Sequence, residues 1–183
     1  MYMLYEIETE RLLLRPFQRS DANDIFEYSQ NPNVGPNAGW PPHKTLRDSK
    51  QAVRSFIENG YVWAVVDKVS NKVIGTIGLH PDEKRQNSKA RMLGYSLSED
   101  YWGRGLATEA AKAVIRYAFN VWHVELLSIY RYPENVRSGR VIEKCGFTYE
   151  GTLKKAFVLY DGTVRDHVCY CMTRDEFDKL YGY

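Results

Sequence analysis

A strand-like stretch at residues 89–97 crosses the acidic turn Ser98-Glu99-Asp100, meets Gly103-Arg104-Gly105, and passes directly into a helical pattern. Apolar residues recur at Ala111, Val114, Ile115, Ala118 and Phe119, close to the 3.6 period, and predict a helix over residues 108–122. Residues 124–130 then read as another strand. A strand, helix and strand of these lengths form a crossover that lays the two strands parallel in one sheet. The glycines at the helix entrance let the backbone approach a bound group closely. The first-turn N–H groups lack helical partners and can receive an anion, and Arg104 adds a cationic donor beside them. Two readings stand: a phosphate cradle made mostly of main chain between Trp102 and Thr108, or a tight strand-to-helix connection.

The rest of the chain surrounds this unit with short elements. Residues 6–17 read as an opening strand, with Leu12 and Leu14 on one face and Pro16 near its end. Ser20 or Asp21 caps a helix reaching about Tyr28, with Ala22, Ile25 and Phe26 inward. Residues 31–43 are too rich in Pro and Gly for regular structure. They carry Trp40, which either walls a pocket or pins the loop to the core. Thr45 caps a second helix, buried along Ala52, Val53, Phe56 and Ile57 and stopped by Gly60. Strands follow at residues 61–66 and 73–79, and residues 81–88 form a polar turn. Residues 135–147 read as a loop and helix ending at Gly146. A closing hairpin spans residues 151–160 and 164–172 across Asp161-Gly162, before a terminal helix at residues 175–180. With no linker and no repeat, the pattern predicts a single α+β domain with a mixed sheet over residues 1–183.

Composition narrows the partners. A length of 183 residues suits one well-buried domain. The formal net charge of +2 is dispersed, without a basic run interleaved with aromatics, so no nucleic acid is expected. No apolar run is long enough to cross a bilayer. Cys145, Cys169 and Cys171 have no metal-ligand spacing, and His43, His80, His123 and His167 are scattered, so no metal is expected. Nothing before Glu6 resembles a secretory segment, which favours a reducing cytoplasm.

Four stretches, in order, carry a family resemblance: Glu8-Thr-Glu-Arg-Leu-Leu-Leu-Arg-Pro16, the run from Gly94 to Ala110, Asn135-Val-Arg-Ser-Gly-Arg-Val-Ile-Glu-Lys-Cys-Gly-Phe147, and Arg165-Asp-His-Val-Cys-Tyr170. Together they span nearly the whole chain, which resembles the GNAT-superfamily acyltransferases, specifically the branch of RimJ/RimL-type ribosomal-protein N-acetyltransferases. The resemblance implies the GNAT fold, a central mixed and mostly antiparallel sheet splayed at the cofactor site and flanked by helices. It implies acetyl-CoA as co-substrate, its pantetheine arm beside Tyr95, Ser96 and Leu97. It further implies that the pyrophosphate lies on the N–H groups of Gly103, Arg104, Gly105, Leu106, Ala107 and Thr108. Trp102 stands where the family pattern commonly has Gln or Arg. Asn135 corresponds to a residue that bonds the pantetheine arm. Ser138 corresponds to a hydroxyl near the thioester sulfur, able to protonate or stabilise the departing thiolate. Locally, Asn135 can instead form a turn after Pro133, and Ser138 can cap a helix beginning near Gly139.

The reaction implied is direct transfer to a primary amine, either a protein N-terminus or a small molecule, by a monomer or homodimer. A non-catalytic coenzyme A-binding module is the alternative, because many relatives carry Glu two residues before the glycine matching Gly94 and this chain has Met92. A base must therefore come from elsewhere: Glu99, Asp100, His167 and Tyr130 are candidates beside an ordered water, and His80 is expected at the far end of its hairpin. The main-chain N–H of Leu97 or a neighbour serves the developing oxyanion. Trp40, His43 and Trp63 are candidates for the acceptor pocket. Segment 31–45 carries no acid, which favours an uncharged or acidic acceptor over a polycation. Cys145 reads as packing, and Asp166 with Tyr170 as hairpin support.

Overall fold

The computed structural model describes residues 4–182. Eight strands make one sheet: β1 (Ile7–Glu8), β2 (Leu12–Pro16), β3 (Val62–Asp67), β4 (Val73–Pro81), β5 (Ala90–Leu97), β6 (Leu126–Arg131), β7 (Thr148–Val158) and β8 (Val164–Thr173). Their order is β1-β2-β3-β4-β5-β6-β8-β7, antiparallel throughout except for the parallel pair β5 and β6. This is the mixed, mostly antiparallel sheet, splayed between β5 and β6, that the resemblance implies.

Six helices cover the sheet: α1 (Ala22–Ser29), α2 (Gly35–Ala38), α3 (Leu46–Asn59), α4 (Leu106–Asn120), α5 (Val136–Lys144) and α6 (Arg174–Tyr181). Capping sets several of their boundaries. Thr45 and Asp48 form a reciprocal box at the start of α3, and Gly60 closes it in the left-handed region at φ +67°. Thr173 and Glu176 repeat the device at α6. On one face of the sheet, Ala111, Val114, Ile115, Ala118 and Phe119 of α4 pack on Ile77, Leu79, Leu93 and Leu127. On the other, Ile25 of α1 and Val53 of α3 pack on Val62, Ala64 and Val66. Each large side chain buried this way contributes about 1.5–3 kcal/mol.

Three departures from the sequence pattern have local causes. The opening strand is broken between β1 and β2 because Thr9 and Arg11 turn to meet Glu109 in α4: Thr9 Oγ1 donates to its carboxylate at 2.7 Å and the Arg11 N–H at 2.8 Å. The same contacts, with Arg15 paired to Asp21 at 2.8 Å, give both arginines partners outside their own strand. The Pro/Gly-rich segment holds α2, a single turn with proline in its first turn and Gly39 at φ +93° behind it. Helix α4 starts two residues earlier than its apolar period suggests, because Gly105 at φ +78° is its N-cap.

Candidate active site

Strands β5 and β6 pair only at Ala90–Leu126, Arg91–Leu127 and Met92–Ser128, then separate. The gap opens into a cleft of about 830 Å³ running through the sheet from α4 and α5 on one face to α2 on the other. Ser98 N donates to Ile74 O at 2.7 Å, so alternation along the antiparallel β4–β5 ladder turns the N–H groups of Tyr95 and Leu97 away from β4 and towards the gap. The Leu97 carbonyl accepts from Trp102 Nε1 at 2.8 Å, which ties the strand end to the loop.

Trp102, Gly103, Gly105, Leu106, Ala107 and Thr108 all line the cleft. The first helical bond of α4 runs from Glu109 N to Gly105 O, and the main-chain N–H groups of residues 103–108 find no protein acceptor among the described residues. Gly103 and Gly105 hold φ of +73° and +78°. A Cβ on Gly103 would meet nothing within 4 Å, so the cradle is open on the side where a ligand would lie. This donor row, at the positive end of a four-turn helix, fits a diphosphate. Arg104 does not face it: the guanidinium lies 5.0 Å over the Tyr101 ring, and the side chain borders a separate depression with Glu27, Glu99 and Asp100. Its carbonyl is clamped by Arg11 Nη1 at 2.9 Å, so Arg104 offers the cradle its N–H rather than its charge. Cations come instead from Arg137, Arg140 and Lys144, which line the cleft along one face of α5. Arg137 packs 4.6 Å over Trp102, restoring a cation where that tryptophan replaces a polar residue. Their i, i+3, i+7 spacing was a readable signal that the family motif does not contain.

Asn135, not Ser138, caps α5: its Oδ1 accepts from Ser138 N at 3.1 Å, and its Nδ2 reaches Asn37 O at 3.5 Å. Ser138 is therefore inside the first turn with its hydroxyl free of capping. It meets Tyr95 Oη at 3.1 Å, and burial pushes that phenol up to about 12. Ser96 also lines the cleft, and its side chain lies on the sheet face opposite Tyr95, where the hydroxyl bonds Thr76 Oγ1 at 3.0 Å.

Beyond the gap, Val34, Asn37, Ala38, Tyr61, His80 and Phe157 close the acceptor end. His80 is on this wall, contrary to its expected remote position, because β4 extends to Pro81 and brings His80 opposite Met92. Tyr130 donates to Asp82 at 3.0 and 2.8 Å, and burial raises its pKa to about 12, so its hydroxyl is committed as a donor. His167 is stacked with Tyr130 and Phe157, its Nδ1 is buried without a partner, and burial lowers its pKa to about 4. Glu99 is held by Asn31 and Asn33 outside the cleft, where Asp100 also lies. Trp63 is fully buried, its indole donating to Tyr5 O at 2.8 Å. Trp40 packs over Gly35, and His43 Nδ1 meets Ser49 Oγ at 2.8 Å. These three residues support the wall without lining it. Cys145 is buried, and desolvation raises its thiol to about 11, as suits packing. Asp166 holds β7 by accepting from Lys154 and from the Lys155 N–H.

The acetyltransferase (GNAT) domain family matches residues 11–148. The [ribosomal protein uS5]-alanine N-acetyltransferase of Escherichia coli is 27% identical, covering 93% of this chain and 92% of that protein. A GNAT-family acetyltransferase structure from Bacillus anthracis superposes with a TM-score of 0.84 at 26% identity, covering 94% of this chain and 100% of the other. The microcin C7 self-immunity acetyltransferase MccE, solved with acetyl-CoA and AMP, shares the fold at a TM-score of 0.79 and 22% identity, over 90% of this chain and 93% of that one.

Proposed function

Because the chain belongs to the acetyltransferase (GNAT) family, we propose that it moves the acetyl group of acetyl-CoA directly onto a primary amine, a protein N-terminus or a small molecule. The observation that carries this reading is the split between β5 and β6, with an unpartnered N–H row at one mouth and the Tyr95–Ser138 pair beside it. Acetyl-CoA would supply the activated acyl group; the chain supplies position and charge. The N–H groups of residues 103–108 hold the diphosphate, while Arg137, Arg140 and Lys144 add positive field. The strand edge at Tyr95, Ser96 and Leu97 aligns the pantetheine arm, with Asn135 bordering it. The Tyr95 or Leu97 N–H stabilises negative charge on the acyl oxygen, and Ser138 delivers a proton to the departing sulfur. Holding both reactants in one cleft removes much of the entropic barrier.

The match to the uS5-alanine enzyme supports placement in the RimJ/RimL-type branch. We read residues 1–183 as one acetyltransferase domain, acting as a monomer or homodimer. Its three cysteines remain thiols, which supports a cytoplasmic setting. Met92 favours one competing reading, a coenzyme A-binding module without turnover. Thiol release from acetyl-CoA, screened against peptides with N-terminal Ala or Ser and against small amines, decides between them. Release with at least one amine supports the enzyme; tight coenzyme A binding with none supports the module.

A further inference from the structure

Four residues of β4 and β5 form the acceptor face of the sheet beside the gap. Gly78 pairs with Gly94, and His80 with Met92, so all four side-chain positions share that face. Thr76 and Ser96 continue it, as their hydroxyl contact of 3.0 Å shows. Tyr95, with Ser138, lies on the other face. The glycine pair has a specific consequence. A Cβ on Gly78 would lie 3.0 Å from His80 Nε2, and one on Gly94 would lie 3.2 Å from the same atom. Gly94 is therefore kept bare beneath the imidazole, and Gly78 is kept bare both beneath it and against Tyr61 O and Val62 Cγ2, each 2.9 Å from such a Cβ. Tyr61 meets that ring edge-on at 5.1 Å.

Resting on the acetyl-transfer reading above, we propose that His80 accepts the proton of the acceptor amine, working from the sheet face opposite the Tyr95–Ser138 pair. As the amine nitrogen bonds the acetyl carbon, its proton passes to an imidazole nitrogen. The carbon–sulfur bond breaks with its electron pair on sulfur, and the thiolate takes a proton from Ser138, which regains one from solvent. His80 then returns its proton to solvent. Base and acid flank the acyl carbon from the two sides of the split.

His80 fits this task where its neighbours do not. Its imidazole makes no hydrogen bond to protein among the described residues, and it lines the cleft. Neither ring nitrogen is sealed without a partner, unlike Nδ1 of His167. Burial lowers its pKa, so the ring is neutral and receptive at neutral pH. The ionisable groups on the surrounding elements are Tyr61 before β3, Asp82, Glu83 and Lys84 after β4, Arg91 on β5 and Tyr130 on β6. Asp82 is already engaged by Ser128, Tyr130 and Arg85, so its carboxylate is committed to those partners.

Bromoacetyl-CoA tests the assignment without knowledge of the acceptor. Its alkylating carbon sits where the acetyl methyl would lie. A His80 nitrogen should bond that carbon as bromide leaves and the ring proton goes to solvent. Peptide mass mapping should find the label on His80, coenzyme A should protect it, and the rate should rise through one titration below pH 6.5. His80→Gln, folded by its melting curve and binding the reagent equally, should escape alkylation. With the best amine from the screen, His80→Gln should lower kcat by about 10²-fold at unchanged KM for acetyl-CoA. Reagent that binds yet leaves His80 unlabelled, or full kcat in the variant, overturns the proposal alone and assigns the proton to water. Failure of the reagent and of coenzyme A to bind removes the acetyl-transfer reading, and this inference with it.

Discussion

Tyr95 Oη lies 3.1 Å from Ser138 Oγ, bridging the splayed strand and the first turn of α5. Burial raises Tyr95 to about 12, so the phenol stays protonated and can donate to Ser138 as Ser138 donates onward. Ser138→Ala should therefore lower kcat by roughly 10²-fold while leaving acetyl-CoA affinity within a factor of a few. Tyr95→Phe should lower it less, because Ser138 keeps its own proton. Pre-steady-state thiol release at saturating acetyl-CoA distinguishes the two. Equal turnover in Ser138→Ala would remove this residue from the chemistry.

The cradle glycines separate fold from binding. Both have positive φ, and a side chain there costs about 1–2 kcal/mol whatever the space. The Cβ itself meets only Arg11 Nη2, at 3.6 Å from Gly105, and nothing at Gly103. Gly103→Ala and Gly105→Val should thus melt only a few degrees lower, yet bind coenzyme A at least tenfold more weakly as the added carbons enter the diphosphate's space. Calorimetric titration beside a melting curve checks both. Unchanged affinity in a folded variant would place the diphosphate elsewhere.

Much of this site was readable because its strongest parts are local in sequence. The strand, the two glycines and the helix period located the unpartnered N–H row, for which the sequence left two readings open, and the crossover predicted the parallel pair. What the sequence concealed depends on register. His80 looked remote until pairing opposite Met92 set it on the wall. Arg104 looked like a ligand cation until Arg11, 93 positions away, fixed its carbonyl. The helix-cap assignment also moved from Ser138 to Asn135, since either residue type can serve and only backbone geometry chooses. Trp40 and Trp63 illustrate the limit of residue type: aromatic character cannot distinguish a pocket wall from a packed support.

The basic stripe of α5 makes a prediction about ionic strength. Arg137, Arg140 and Lys144 border the cleft on successive turns of one helix face. Replacing Arg140 and Lys144 together by Gln should weaken coenzyme A binding several-fold at low salt and flatten its salt dependence, because fewer screened charges remain. The melting temperature should barely change, as neither side chain closes the core. A salt slope identical to that of the unmodified protein would show that Arg140 and Lys144 take no part in holding the anion.

His167 sets an acid limit on the fold. Burial, with Lys84 adding to it, lowers its pKa to about 4, whereas an unfolded histidine titrates near 6.5. Above about pH 6.5 neither state binds this proton, and the full stability is present. As pH falls towards 4, the unfolded chain takes up a proton that the folded chain refuses, so stability declines. His167→Phe keeps a ring between Tyr130 and Phe157, removes the partnerless Nδ1 and cannot titrate. The variant should match the parent near pH 7.5 or exceed it slightly, and its advantage should widen steadily from pH 6.5 to 4.5. Urea unfolding at several pH values measures that difference directly, with every other carboxylate and histidine common to both proteins. A difference that stays constant across the range would mean that His167 titrates alike in the folded and unfolded chains.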